Sequence, residues 1–575
     1  MLETLDESRR RVSEAAEAAL RHAGAGGARL DPLVAAIAEG KGDPTAVRDA
    51  TKNLLSDERP LELVLFDTDR IAGFVFDSSR PPVVAGASRI LFQLNEWIAR
   101  EFREKVIFSG GGQGLLLAAA GTGRGVAQAI EQKYHEMSLG ALSVTTAHLP
   151  AGPQDFLSTH ITDAGARLGV RPVSGTQALV GRLLDMVRRA KAERPPPSSR
   201  IPGNAERCVS CRDRAAGRIP LSRFRPDEDP RARLCDPCVR RWEEGQKRIA
   251  GVSFVDLVEA VSRAGEGDEV ARGKARYLGF VYGDANAMGS VFDRLSSLAE
   301  LRFLSLAISH LFTRALERAE SEARKLIPAH QEQLPLLSLL GGGDEVIWIA
   351  PASLAVKLAA ALPGWVEEEA RRSGGLAEML RRYGTERLTL GVGMVLCDVA
   401  FPVRYQYELA RALMKNAKRL YYGASPSAAT SSIDFEVLTD ASPLSERLES
   451  ARELSTFTEE MDFVRTCRPY ATEEFSQLLN AIGRARTAGL ASSQLHLLQA
   501  GSFAGKRTFL NQLCYQIARK PAGERYQKWL TALGVDPADR TALSNHFLRS
   551  LRTSPGRFGT WVPDAVQLAP FADLP

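Results

Sequence analysis

The stretch LPLLSLLGGGDEVIWIAP, Leu334 to Pro351, sets three glycines and two acids between two apolar runs. Apolar runs of this length read as strands, and the glycines supply the tight turn that joins them into a hairpin. Asp344 and Glu345 then stand at a rigid tip, where metal-dependent phosphoryl chemistry needs its carboxylates. Upstream, YLGFVYGDANAMG reads as a strand running into a loop at Asp284. A strand-end Asp beside a hairpin-tip Asp can share a divalent cation, so Asp284, Asp344 and Glu345 are the candidate catalytic centre. Mg²⁺ takes one or two protein carboxylates and leaves places for substrate phosphates. Gly342 and Gly343 let the backbone turn and keep bulk away from an approaching triphosphate. An ordinary turn is the competing reading of the pentapeptide alone.

The pattern occurs twice. LELVLFDTDRIAGFVFD (Leu61 to Asp77) parallels YLGFVYGDANAMGSVFD (Tyr277 to Asp293), which aligns Asp67 with Asp284. KVIFSGGGQGLLLAA parallels LLSLLGGGDEVIWIA, with Gln113 and Gly114 where Asp344 and Glu345 stand. Two related α/β units are expected, one competent for metal chemistry and the other a binding half without the hairpin acids.

Between the copies lie Cys208 and Cys211, then, after 23 residues, Cys235 and Cys238. Paired CxxC knuckles at this separation match a closed tetrahedral thiolate site for structural Zn²⁺. No signal peptide is apparent and no apolar run approaches the ~20 residues of a membrane span, so a reducing cytoplasmic setting is expected, with no membrane partner. Cys397, Cys467 and Cys514 stand alone among apolar residues and read as core. Arginines crowd the cysteine segment, which suits RNA contact or a solvated surface.

At 575 residues and 44% hydrophobic content the chain is too long for one core and too apolar for wholesale disorder. A net charge of +5 permits a nucleic-acid partner without requiring one. The expected organisation is a small helical region over 1–60, a first unit over 61–192, a linker with the cysteine module and helices over 193–275, a second unit over 276–430, and a helical bundle over 440–575. ERPPPSSRIPG reads as a stiff connector. In the second unit a strand (Leu388 to Leu396) feeds a helix bearing Lys415 and Lys418, three apart and able to hold a triphosphate; a solvated helix face is the alternative. GSFAGKRT at Gly501 lacks the spacing of a phosphate-binding loop.

The order of FDTDRIAGFVF, AGAS (Ala85 to Ser88), GGGQG, two CxxC knuckles, YGDANAMG, GGGDE and FPVRYQYELARALMKNAK resembles the large polymerase-cyclase subunit of type III CRISPR effector complexes, from about Leu61 onward. The resemblance implies an α+β fold. Two ferredoxin-like palm domains of the GGDEF-cyclase kind would face each other, with a zinc module between them in the chain and a helical domain after. It implies synthesis of cyclic oligoadenylates from ATP with Mg²⁺ or Mn²⁺, triggered by target RNA, in company with guide RNA and other effector subunits. Carried onto this chain, Asp284, Asp344 and the Ala285 carbonyl bind Mg²⁺ with Glu345 in support. Lys415 and Lys418 neutralise phosphates, Asn286 lies near the sugar, and the first unit's Gly110, Gly111 and Gly112 admit the second nucleotide. Two departures stand out. None of the eight histidines precedes an Asp, so the family's HD nuclease is not expected, and Glu345 replaces the second Asp of the usual GGDD. A free-standing defence or diguanylate-type cyclase making cyclic dinucleotides, and a non-catalytic RNA-binding scaffold, are the alternatives.

Overall fold

The computed structural model describes residues 61–103, 105–157, 159–160, 173–194, 205–249, 276–326, 334–425, 428–438, 452, 456, 458, 460, 462–552 and 556–572. The helices expected over 1–60 and around 252–264, and the proline-rich connector beyond residue 194, lie outside them. The first unit runs β1 (Leu61–Thr68), α1 (Pro81–Glu101), β2 (Val106–Gly110), β3 (Gln113–Ala119), α2 (Gly123–Ser138), β4 (Val144–Ala151) and α3 (Gly175–Glu193). Its sheet has the order β2-β3-β1-β4. Ser174 starts α3 with a reciprocal cap, its hydroxyl accepting from the Gln177 amide while Gln177 accepts from the Ser174 amide.

The second CxxC knuckle runs into α4 (Asp236–Ile249), which carries Cys238; the second unit follows with β5 (Tyr277–Ala285), α5 (Leu298–Arg324), β6 (Leu337–Gly342), β7 (Glu345–Pro351), α6 (Ala352–Arg372), β8 (Leu390–Asp398), α7 (Val403–Ala417), β9 (Ser432–Val437), β10 (Tyr470–Ala471) and α8 (Thr472–Thr487). Its sheet is six-stranded, β6-β7-β5-β8-β9-β10, so it continues past residue 430. Central β5 is buried along nearly its whole length, which accounts for its apolar run rather than an alternating pattern.

Register shows the two sheets to be copies. Asp67 faces Gln113 across β1–β3 as Asp284 faces Glu345 across β5–β7. Both hairpins bulge at matching places, between Val106 and Phe108 and between Ser338 and Leu340. The Thr68 amide donates to the Gly112 carbonyl at 2.8 Å as the Ala285 amide does to Asp344 at 3.1 Å. Three residues past each Asp, Arg70 and Ala287 take left-handed backbone at φ 52° and 58°. This register corrects the sequence alignment by one residue: Gly112 occupies the place of Asp344, and Gln113 that of Glu345. The turns are Gly111–Gly112 and Gly343–Asp344, and a run of three glycines does not reveal which two of them turn.

The units pack through reciprocal contacts. Ser88 on α1 donates to the Leu339 carbonyl of β6, and Arg302 on α5 donates to the Val106 carbonyl of β2. Each of the two large cores takes residues from both sheets, for example Leu63 with Trp348 in one and Phe66 with Ile347 in the other. The cysteine module docks on the first unit where α4 crosses α1 through glycines. A methyl on Gly86 would lie 1.6 Å from the Arg241 carbonyl, and one on Gly245 1.8 Å from that of Pro82, so neither position tolerates a side chain.

The C-terminal region is mainly helical but not wholly so. Phe463–Val464, β11 (Leu548–Ser550) and Phe558–Thr560 form a small sheet, reached after α9 (Arg540–Phe547), and β10 joins the large sheet. Strands of two or three residues are too short to show a period of two. Arg468 ties this region to β9, donating to the Phe435 carbonyl at 2.7 Å and pairing with Glu436 and buried Asp564 at 3.1 Å each. Cys397 and Cys467 are buried as expected, whereas Cys514 is half-buried. Among the described residues no helix is long and apolar enough to cross a membrane.

Candidate active site

Asp284 is the penultimate residue of β5, and Asp344 and Glu345 end the β6–β7 turn beside it. Antiparallel pairing sets Glu345 directly across from Asp284, and the Ala285–Asp344 backbone bond ties the tip to the strand end. Asp284 and Asp344 line one open pocket of about 240 Å³ with Ala285, Met288, Lys418 and Tyr422. Asp284 is thus brought beside Asp344 and Glu345, which are distant from it in sequence.

Their electrostatics follow from crowding. Burial, then the charges of Asp284 and Glu345, push the Asp344 carboxyl up to about 7. Burial also raises Asp284, against the opposing pull of Lys418, and raises Glu345, against a hydrogen bond from Tyr282. Lys418, the C-cap of α7, donates to Asp284 at 2.5 Å and to the Ala285 carbonyl at 2.7 Å. Carboxylates crowded beside an ammonium group are oxygen donors of the kind a divalent cation takes, and one would relieve the repulsion that raises them, although among the described residues only four cysteines bring three or more ligand atoms within 4.8 Å of one another.

The other expected residues divide. Gly343 takes φ 70° at the turn, and a methyl there would sit 3.3 Å from the Gly111 amide nitrogen, so the tips of the two hairpins meet. Gly342 pairs with Glu345, and Gly111 and Gly112 form the opposing turn at φ 59° and 83°. Lys415 is exposed on α7 and does not line the pocket. Asn286 is buried, its side-chain nitrogen donating to Thr389 at 2.9 Å and its oxygen without a hydrogen-bond partner. In the first unit Lys191 pairs with Asp67 at 2.8 Å, the counterpart of Lys418 with Asp284.

Sequence reasoning missed the aromatic support of Glu345. The Tyr282 hydroxyl donates to Glu345 at 2.6 Å, Tyr282 stacks with Tyr407 of α7, and Tyr407 stacks on Phe76 of the first unit at 4.3 Å. Position gave one signal: Tyr282 lies two residues before Asp284 and so faces the same side of β5.

Cys208, Cys211, Cys235 and Cys238 bring their sulfurs within 4.8 Å of one another, and all four are buried. Such a cluster of thiols can hold a tetrahedral metal ion. Buried Arg241 donates to the Cys238 sulfur at 2.9 Å and to both Asp77 carboxylate oxygens, joining the cluster to the first unit.

No protein-family model matches the chain, and neither does any curated protein sequence. What the geometry defines is a mixed α+β protein of two repeated, facing sheets, one of which carries clustered carboxylates at a hairpin tip. Among solved structures this is the fold of Csm1 from type III CRISPR complexes. A Csm1–Csm4 cassette in complex with cA4 aligns over 92% of this chain and 72% of its own, at 15% identity and a TM-score of 0.50. A Csm1–Csm4 cassette in complex with one ATP aligns over 92% and 73%, also at 15% identity and 0.50.

Proposed function

We propose that the chain is a nucleotidyltransferase of the Csm1 kind, making cyclic oligoadenylates from ATP within a type III CRISPR antiviral complex. The two sheets are read as ferredoxin-like palm domains, the first without hairpin acids and the second catalytic. The observation that carries this reading is that Asp284 and Asp344 line one pocket, with Glu345 paired directly across the strands from Asp284. The Csm1–Csm4 cassettes holding cA4 and ATP support the substrate and product class.

When bound, Mg²⁺ supplies charge neutralisation for the phosphates and lowers the pKa of the attacking 3′-hydroxyl. Asp284 and Asp344 would hold it, with Glu345 fixed beside them by its hydrogen bond from Tyr282. Lys418, bonded here to Asp284 and the Ala285 carbonyl, would be free to turn its ammonium to the β and γ phosphates once a cation took those oxygens; Lys415 adds positive charge from the exposed side of α7. Asn286 shapes the loop beside the sugar. Gly111 and Gly112, facing Gly343, leave room for the second nucleotide against bare backbone. Each step forms one bond from the 3′-oxygen to the α-phosphorus, breaks the α–β anhydride, and releases pyrophosphate and a proton. Cys208, Cys211, Cys235 and Cys238 hold structural Zn²⁺. Guide and target RNA and a Csm4-type subunit are the expected partners, with RNA as the activator.

Replacing Asp344 and Glu345 together with Ala tests the assignment. ATP consumption should fall by ~10³-fold or more while the melting profile stays cooperative; unchanged product formation by this variant would refute it. A dinucleotide cyclase that pairs two identical chains is disfavoured by the built-in second sheet, which supplies the facing hairpin within one chain.

A further inference from the structure

The C-terminal region encloses a second pocket, of about 340 Å³. Gln477, Asn480 and Arg484 lie at i, i+3 and i+7 of α8 and so share one helix face. His546 comes from the end of α9, and Arg549 from β11. The lining contains two guanidinium groups and no carboxylate. Arg484 donates to Asn480 at 3.0 Å and Arg549 to Gln477 at 3.3 Å, and both acceptors are neutral amides. The His546 Nε2 atom is buried without a hydrogen-bond partner. Burial and the nearby Arg549 hold that imidazole below its ordinary pKa, which leaves the ring uncharged at neutral pH.

Two arginine forks beside an unused ring nitrogen suit a phosphate, and side-chain amides next to them suit the edge of a base. The volume lies in the range of small-ligand pockets and is large enough for one nucleotide. Position points the same way. An adjoining smaller pocket shares Arg549, adds Arg552 and reaches Leu420. Leu420 belongs to the short helix Arg419–Tyr422, whose Tyr422, with Lys418 just before it, lines the acid pocket. Glu474 also lines that smaller pocket and pairs with Arg552 at 3.2 Å, so Arg549 is the basic group the two pockets share.

We infer that this pocket binds one nucleotide unit of a single-stranded oligoribonucleotide, with its phosphate on Arg484 and Arg549 and its base against Asn480, Gln477 and His546. The anion site stands on the lining alone; the choice of an oligonucleotide rests on the proposed function. Two sources share this chemistry, a short oligoadenylate made at the acid pocket and a longer RNA strand.

Fluorescence anisotropy separates them. Labelled linear tetra-adenylate, a labelled 20-nucleotide RNA and labelled polyglutamate would each be titrated with the full chain in buffer without added divalent cation, which silences metal-dependent binding among the acids. The Arg484→Glu/Arg549→Glu variant should weaken one or both oligonucleotides at least 10-fold, and the milder Arg484→Gln should weaken the same probe about 3-fold. Loss confined to tetra-adenylate identifies the product, and loss confined to the 20-mer identifies an RNA strand. Unchanged affinity for both in variants that melt like wild type overturns the inference. So does an arginine-dependent affinity for polyglutamate alone, which would mark an acidic protein partner. Metal-dependent ATP consumption, measured on the same variants, reports separately on the acid pocket: if it is absent from wild type, the proposed function fails while the anion site can still stand.

Discussion

Replacing Asp344 with Asn should stabilise the metal-free protein even as it removes activity. The Asp344 carboxyl sits at about 7 instead of 3.8, through burial and the charges of Asp284 and Glu345. Ionising it in the fold near pH 8 therefore costs up to about 4 kcal/mol relative to the unfolded chain. Because the side chain lines an open pocket, water screens much of that penalty, and the gain from Asn should be about 1–2 kcal/mol. The folded-state value lies above the unfolded one, so the penalty is fully present above about pH 7 and fades as pH falls toward 3.8, where both states are protonated. Urea denaturation without divalent cation, at pH 8 and pH 4.5, measures this. The variant should be more stable at pH 8, with most of the difference gone at pH 4.5. Mg²⁺ at pH 8 should stabilise wild type by mass action and leave the variant nearly unmoved. A variant less stable than wild type at pH 8, or a difference independent of pH, would show that the carboxylates do not repel one another as the geometry requires.

Tyr282→Phe removes the donor to Glu345, and with hydrogen bonds to charged groups contributing about 1.5–3 kcal/mol, kcat should fall roughly 10- to 100-fold with KM for ATP little changed. Gly343→Ala forces an alanine into left-handed backbone against Gly111, which should cost about 1–2 kcal/mol in urea denaturation and reduce turnover. Cys208→Ser should lower bound zinc from one ion per chain toward none, read by elemental analysis. It should also expose the segment around α4 to protease, since site formation contributes on the order of 5 kcal/mol or more to folding.

The placement of the acids was legible because strand-end and turn acids announce themselves: an apolar run that stops at Asp284 and glycines that stop at Asp344 leave few geometries open. The duplication was legible for the same reason, through Asp67 and the second glycine hairpin. Its register was not, since Gly110 to Gly112 look alike and only cross-strand pairing shows that Gly112 stands for Asp344. The placement of the two lysines also needed coordinates. Lys415 and Lys418 are three apart on paper, yet the end of α7 aims Lys418 at Asp284 and leaves Lys415 exposed. Tyr407 and Phe76 could not be linked from sequence at all, because they stack across the interface between the two units. The short C-terminal strands carry too few residues for a pattern, and their place is decided by tertiary contacts such as that between Arg468 and Asp564.

Anomalous diffraction from crystals grown with Mn²⁺ and a non-hydrolysable ATP analogue would locate the metal among the acids. A manganese peak should lie within about 2.1 Å of carboxylate oxygens of both Asp284 and Asp344, with Lys418 turned away from Asp284 toward the phosphates. A nucleotide bound with no manganese between those two side chains, or with the Lys418–Asp284 pair intact, would contradict that placement.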